Sequence, residues 1–359
     1  MEAGRGTEGT RSVLQTVKTI EYHYATPVRE VTTQLRLFPR PRRGLQRLLS
    51  RDCEVWPRPD RTRRFTDEFG NEVWEFLHQA VAERLRFALG FTTEHAVRCR
   101  LGRLLVARLV ASHGVPRAGV TTFLSSTWLV DDSEEIRAAA RALAGTKATA
   151  GELMEAIGTW VHGAMRFCAG VTDVGTPASA ALAQRGGVCQ DYAHVMLAIC
   201  RANGIPSRYV SGFIPGEGYM HAWVEALVAD SRTGTAHWEG FDPTHNRRPD
   251  AHYLAIAIGR DYADVSPVTG SFYGATPGRL TSWSETVLRN AVDLTRSIER
   301  RAGKIPAADG GRGGKWATGN TAETKIGYNK TRAGWAMASH CPTAGSVRPQ
   351  DRAPGTNRS

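Results

Sequence analysis

The sequence predicts an α+β protein, with a small β-rich region first and helices packed on an antiparallel sheet after it. Three observations predict this. Apolar and polar residues alternate over short segments between residues 14 and 95, the signature of half-buried strands. Capped segments with helical spacing follow, between residues 132 and 203. Three further strand segments then come in succession, joined by glycine-bearing turns, and helices followed by such a set give a layered α+β domain.

In chain order, Thr16–Tyr24 and Thr32–Phe38 alternate, the latter with Leu35 and Leu37 on one face. Cys53–Pro57 and Glu72–His78 complete an antiparallel set, with Asp67 to Asn71 (DEFGN) as the turn before the last. The basic run Arg40–Arg51, broken by Pro39, Pro41 and Gly44, reads as a connecting loop. After a linker around Ser112–Ser126, a helix opens at Asp132-Ser133-Glu134-Glu135, where a cap residue precedes an acidic first turn, and runs to about Leu143. A second opens with a capping box, Thr149 to Glu152, and carries Leu153, Ile157, Trp160, Val161 and Met165 on one stripe. A third begins at Thr176-Pro177, with proline in the first helical position.

A fourth helix follows the break at Gly186-Gly187. Val188, Tyr192, Val195, Met196 and Ile199 form its apolar stripe, and Asn203-Gly204 ends it. Strands are expected at Ser207–Ile214, His221–Ala229 and Ala236–Asp242, with Gly234 in the last turn. A final strand or helix is expected between Tyr273 and Ser297. The division that follows is a β-rich domain at 14–95, a core domain at 125–280 and a tail at 300–359.

Composition narrows the function. A hydrophobic share of 41% and a charged share of 23% are ordinary for a globular chain. No stretch approaches the roughly 20 apolar residues of a membrane helix, and the N-terminus lacks the apolar segment of a secretory signal. The expectation is a cytoplasmic protein without a membrane partner. The net charge of +11 is concentrated in the last sixty residues, which carry +8 and are rich in Gly, Thr and Ala. That pattern suits a solvated tail, and no specific nucleic-acid partner is expected. The six cysteines (Cys53, Cys99, Cys168, Cys189, Cys200 and Cys341) show no CxxC and no short regular spacing. Neither a disulfide framework nor a zinc site is expected, and no cofactor.

Cys189 stands apart from the other five. It begins the fourth helix just after the glycine pair, where free amides and the positive end of the helix dipole favour a thiolate. The same amides can face an oxyanion on a substrate carbonyl. His221 opens a strand after the loop Pro215-Gly216-Glu217-Gly218. Asp242 ends the next strand, and a hairpin centred near Arg232 and Thr233 sets it opposite Trp223, on the face of His221. A carboxylate there orients the imidazole that serves a cysteine nucleophile. His194 does not pair with Cys189 at helical spacing and reads as a hydrogen-bonded support, and Cys200 as core.

The segments GGVCQDYAHVM (Gly186–Met196), GIPSRYVSGF, HAWVE (His221–Glu225) and GFDPTHN (Gly240–Asn246) resemble the transglutaminase-like superfamily, and more closely its bacterial cysteine-protease branch. HYATPVREVTTQLRLFPRP and DEFGN resemble that branch's N-terminal β-domain, and GRDYADVSPVTGSFYG (Gly259–Gly274) its usual ending. The resemblance spans about residues 14–280. It implies a papain-like core with Cys189 as nucleophile, His221 as base and Asp242 as the base's partner. It further implies an acyl-thioester on Cys189 and a peptide or protein amide as substrate, with hydrolysis favoured. Acyl transfer to amines, crosslinking among them, and a non-catalytic binding module are the alternatives. A nucleic-acid or anionic-surface binder acting through the tail is a third class. No DxDxDG calcium loop is present. The tail beyond Ser297 extends past the family's usual end.

Overall fold

The computed structural model describes residues 11–96, 119–145, 149–230, 235–274 and 279–289. The expectations for the basic tail, for Gly234 and for the start of the linker fall outside the described residues.

The N-terminal region is built from seven strands: β1 (Arg11–His23), β2 (Val28–Leu35), β3 (Arg42–Arg43), β4 (Gln46–Trp56), β5 (Arg61–Thr66), β6 (Glu72–Val81) and β7 (Arg84–Ala96). The basic run is not a loop. Gly44 takes φ +55° and closes a tight hairpin that pairs Arg43 with Gln46, so Gln46–Arg51 continues as strand. Its arginines find carboxylates: Arg51 pairs with Glu72, and Arg47 with Glu94 at 3.0 Å. The proline-rich signal marked the ends of the hairpin, and charge alone does not forbid a strand whose outer face is wet.

The core region holds helices α1 (Glu134–Ala144), α2 (Ala150–Ala164), α3 (Ala178–Gln184) and α4 (Cys189–Ala202). Ser133 caps α1 by accepting from Ile136 N, and the capping box of α2 joins Thr149 and Glu152 reciprocally. Pro177 caps α3 from one position before its first turn. Short β8 (Arg166–Phe167) and β9 (Gly186–Gly187) pair in parallel just before α4. Strands β10 (Ser207–Phe213), β11 (His221–Asp230), β12 (Thr235–Phe241) and β13 (Leu254–Gly259) form the core sheet in the order β12-β11-β10-β13. The chain then passes through a short α5 (Tyr262–Val265) to β14 (Val268–Tyr273) and β15 (Arg279–Arg289).

These last two strands leave the core sheet. β15 pairs along β1 in the order β15-β1-β7-β4-β3, and β14 pairs with β2 in the order β14-β2-β6-β5. The pairing sets residues 268–289 with the N-terminal strands, although the sequence reading assigned residues up to 280 to the core.

α4 is the hub of the core region. Tyr192, Val195, Met196, Leu197 and Ile199 are all buried on it, among α1, α2, α3 and the core sheet. The buried polar residues of this helix, Gln190, Asp191, His194 and Arg201, each find a hydrogen-bond partner instead of solvent. It stops where Gly204 takes φ +70°: Ile205 N donates to Cys200 O at 2.9 Å and Gly204 N to Arg201 O at 2.8 Å, a Schellman ending. The two regions are joined polar group to polar group. The Asn71 side chain pairs both ways with the backbone of Ile258 (2.7 and 2.8 Å), and Gln46 does the same with Ala255 (2.9 and 3.0 Å). These amides satisfy the open edge of β13 as a further strand would. Among the described residues no helix is long and apolar enough to cross a membrane.

Candidate active site

Cys189 is the first residue of α4, partly exposed, with the helix amides behind it. Asp191 secures the turn that delivers it. Its Oδ2 accepts from Val188 N at 2.7 Å and from Thr172 Oγ1 at 2.8 Å. Burial pushes the Asp191 carboxyl up to about 6, against the pull of those two bonds. A side chain at Gly187 would run into that carboxylate, which explains the glycine. The Gln190 side chain donates to Val174 O at 3.2 Å and holds the 173–175 loop beside the site. The remaining described cysteines are different. Burial pushes the thiols of Cys200 and Cys53 up to about 12, and Cys168 is partly exposed.

His221 opens β11, with its side chain almost fully enclosed. Strands β11 and β12 pair Val224 with Phe241. Continuing that register one step sets Asp242 opposite Trp223, as the hairpin reading requires. The His221 Nε2–Asp242 Oδ2 distance is 2.8 Å, and Asp242 is fully buried. Cys189 lies close enough to His221 for its sulfur to raise the imidazole's pKa. With Nε2 on Asp242, the nitrogen that serves the sulfur is Nδ1. The structure thus brings together the three residues singled out by the sequence.

The electrostatics are strongly perturbed. Burial alone would depress the His221 pKa. The bond to Asp242 and the negative charges of Asp242 and Cys189 outweigh it and lift the imidazole to about 10. Burial would likewise raise the Asp242 carboxyl, but the bonds from His221, Tyr253 and His245 hold it well below the usual carboxylate range. Clustered shifts of this kind accompany functional sites.

Sequence reasoning missed three members of the cluster. Tyr253 OH donates to Asp242 Oδ2 at 2.6 Å and accepts from Arg247 Nε at 2.9 Å. His245 bonds the same Oδ2 through Nδ1 at 2.8 Å, and its backbone N, with that of Thr244, donates to Asp242 Oδ1 at 3.2 and 2.9 Å. Asp242-Pro243-Thr244-His245 is an Asx-type turn, a pattern readable from the sequence. Tyr253 lies eleven residues on, and nothing local signals it. Glu217 is the third: its Oε2 is 3.5 Å from His221 Nδ1 and its Oε1 3.5 Å from His245 Nε2. One ligand atom from each of Glu217, His221 and His245 fits within a mutual 4.8 Å. His194 sits apart, fully buried, its Nε2 accepting from Tyr262 N at 3.2 Å.

Residues 137–243, which contain Cys189, His221 and Asp242, match the transglutaminase-like superfamily. Residues 15–94 match the bacterial transglutaminase-like N-terminal region. A Mycobacterium leprae protein is 36% identical over 125 residues, 32% of this chain and 42% of the relative. A Mycobacterium tuberculosis protein of strain H37Rv is 34% identical over 133 residues, 34% of this chain and 42% of the relative. Both relatives are uncharacterised, and the chain spans less than half the length of each. The fold matches a crystal structure from Cytophaga hutchinsonii described as that of a candidate cysteine protease. The TM-score is 0.62 at 21% identity, covering 79% of this chain and 92% of the other. On the match of its core and of the region ahead of it, this chain belongs to the transglutaminase-like superfamily.

Proposed function

We propose that this protein is a thiol enzyme that opens amide bonds through an acyl-thioester on Cys189, with hydrolysis as its reaction. The observation that carries the proposal is His221, hydrogen-bonded to the buried Asp242 at 2.8 Å, with Cys189 near enough to shift its pKa. In this reading the Cys189 thiolate attacks the amide carbonyl and forms the S–C bond. The C–N bond breaks as His221 gives its Nδ1 proton to the leaving amine. Asp242 keeps the ring in the tautomer and orientation this requires. Water then yields a proton to His221 and attacks the thioester, the C–S bond breaks, and the thiolate returns. The Cys189 amide, at the first position of α4, is placed to receive the oxyanion.

Hydrolysis is favoured over transfer because Cys189 is partly exposed, so bulk water can reach the thioester. An amine acceptor has to outcompete it. The expected substrate is a peptide or protein amide. Trp128, 62% exposed beside the 173–175 loop, and Tyr219, 57% exposed two residues before His221, offer apolar surface to it.

The test is iodoacetamide labelling of wild type, Cys189→Ala and His221→Ala across pH. Cys189 should react far faster than an ordinary thiol at neutral pH, and His221→Ala should slow it. An ordinary rate that His221→Ala leaves unchanged would sink the proposal. Trapping the acyl-enzyme with a peptide library, with and without added amines, separates hydrolysis from transfer.

A further inference from the structure

Beside Cys189, three side chains from three segments converge in a way that the proposed chemistry does not need. Glu217 lies in the 215–218 loop, which is tied to β15 by Gly216 N to Thr286 O at 3.2 Å and Ser284 Oγ to Gly218 O at 2.9 Å. The loop presents the carboxylate to two imidazoles at 3.5 Å each, one oxygen per ring. Those distances exceed the 2.7–3.2 Å range of an N–H···O bond. They leave room for an ion between the groups: one ligand atom from each side chain lies within 4.8 Å of the other two. Glu217 Oε2 is buried and has no hydrogen-bond partner.

The two rings are held for this purpose by one atom. Asp242 Oδ2 takes His221 Nε2 and His245 Nδ1, both at 2.8 Å. Each ring therefore turns its other nitrogen, Nδ1 of His221 and Nε2 of His245, toward Glu217. The rings stack with centroids 4.9 Å apart and planes 26° from parallel. A carboxylate behind each imidazole is the usual support of a metal-ligating histidine. Two imidazoles and one carboxylate suit Zn2+ and its borderline relatives, whereas Mg2+ and Ca2+ call for oxygen ligands.

We propose that Glu217, His221 and His245 bind a Zn2+-class cation, with the remaining position open to water, and that the bound cation switches the thiol chemistry off. The second half rests on the reading of Cys189 and His221 as the reactive pair. Coordination displaces the His221 Nδ1 proton to solvent and occupies that lone pair, so the proton carrier is blocked and Cys189 loses its acid–base partner. No bond to substrate is involved, and removing the cation restores both groups.

The experiment uses the full chain, stripped with chelator and dialysed against Zn2+ or Co2+. One equivalent should bind, and Co2+ should show the ligand-field absorption of a site with two imidazoles and a carboxylate. Glu217→Gln and His245→Gln should each weaken binding by at least about tenfold. Cys189→Ala should leave the ion on all three ligands. In wild type, Zn2+ should protect Cys189 from iodoacetamide. Absence of stoichiometric binding, or binding that both ligand variants leave within about twofold of wild type, overturns the proposal. Should His245→Gln fail to fold, Glu217→Gln decides alone, because the Glu217 carboxylate makes no hydrogen bond with His221 or His245 at 3.5 Å. An unreactive Cys189 with intact metal binding would refute the catalytic reading and leave the site standing. A reactive Cys189 without metal binding would do the reverse.

Discussion

Asp242→Asn tests the electrostatic frame of the site most directly. The carboxylate accepts three side-chain donors on Oδ2 (His221, His245 and Tyr253) and two backbone donors on Oδ1. Asparagine keeps the shape and removes the charge. An imidazole lifted to about 10 by Asp242 and Cys189 then loses the first of these supports. Its titration should fall toward the ordinary value of about 6.5. Above the new midpoint His221 no longer carries the proton owed to the leaving amine. At pH 8 the turnover of a peptide substrate should drop by about 10²–10⁴-fold, the usual worth of a positioned acid–base group. The variant should also be less stable by about 1–3 kcal/mol, because a buried donor now faces the wrong end of an amide. Histidine-selective NMR gives the His221 titration, and the pH profile of kcat/KM gives the consequence. A folded Asp242→Asn protein whose His221 titrates as in wild type, with unchanged turnover, would refute the reasoning.

Other expectations can be checked with equal economy. Tyr253→Phe deletes the 2.6 Å bond to Asp242 and strands Arg247 Nε, and should cost about 1–2 kcal/mol in urea unfolding. Asn71→Ala leaves the N–H and C=O of Ile258 unpaired at a buried edge, so unfolding free energy should fall by about 2–4 kcal/mol with Cys189 labelling retained. Burial lowers His194 to about 3, so the ring stays neutral in the fold while the unfolded chain takes up a proton below about 6.5. Its contribution is therefore complete above pH 6.5 and lost as pH falls toward 3. Melting temperature should decline over that window, and His194→Gln should flatten the decline. Glu225, half-buried and held at about 2 by the charges of Arg43 and Arg208, behaves as the opposite partner of two cations. Glu225→Gln should cost about 3–5 kcal/mol in a denaturant melt, since two guanidinium groups lose their carboxylate together.

Much of this architecture was legible because the information is local. The capping boxes, the Gly186-Gly187 break and the Asn203-Gly204 stop each determine backbone within a few residues, and they bounded α2 and α4 closely. The hairpin register that brings Asp242 to His221 followed from turn placement and period-two geometry. The failures were non-local. The Pro39, Pro41 and Gly44 breaks at Arg40–Arg51 suggested a loop, yet Gly44 closes a hairpin and the arginines' partners Glu72, Glu94 and Glu225 lie far along the chain. Tyr253 reaches Asp242 from eleven residues on, and Glu217, although only four residues before His221, faces it through a loop whose path no spacing rule sets. The return of β14 and β15 to the N-terminal sheets was likewise invisible, because alternation reports that a strand exists and not which neighbour it chooses.

The pairing of β1 with β15 has a consequence for the birth of the chain. Residues 11–23 leave the ribosome well ahead of their partner on one side, residues 279–289, which follows more than 250 residues later. Until then β1 can zip only to β7 and shows an unpaired flank to solvent or to a chaperone. Such a closure has high contact order, so the final docking step should be slow compared with the helices. Nascent chains halted before residue 279 should hence be aggregation-prone, and release of the last strand should be what makes them safe.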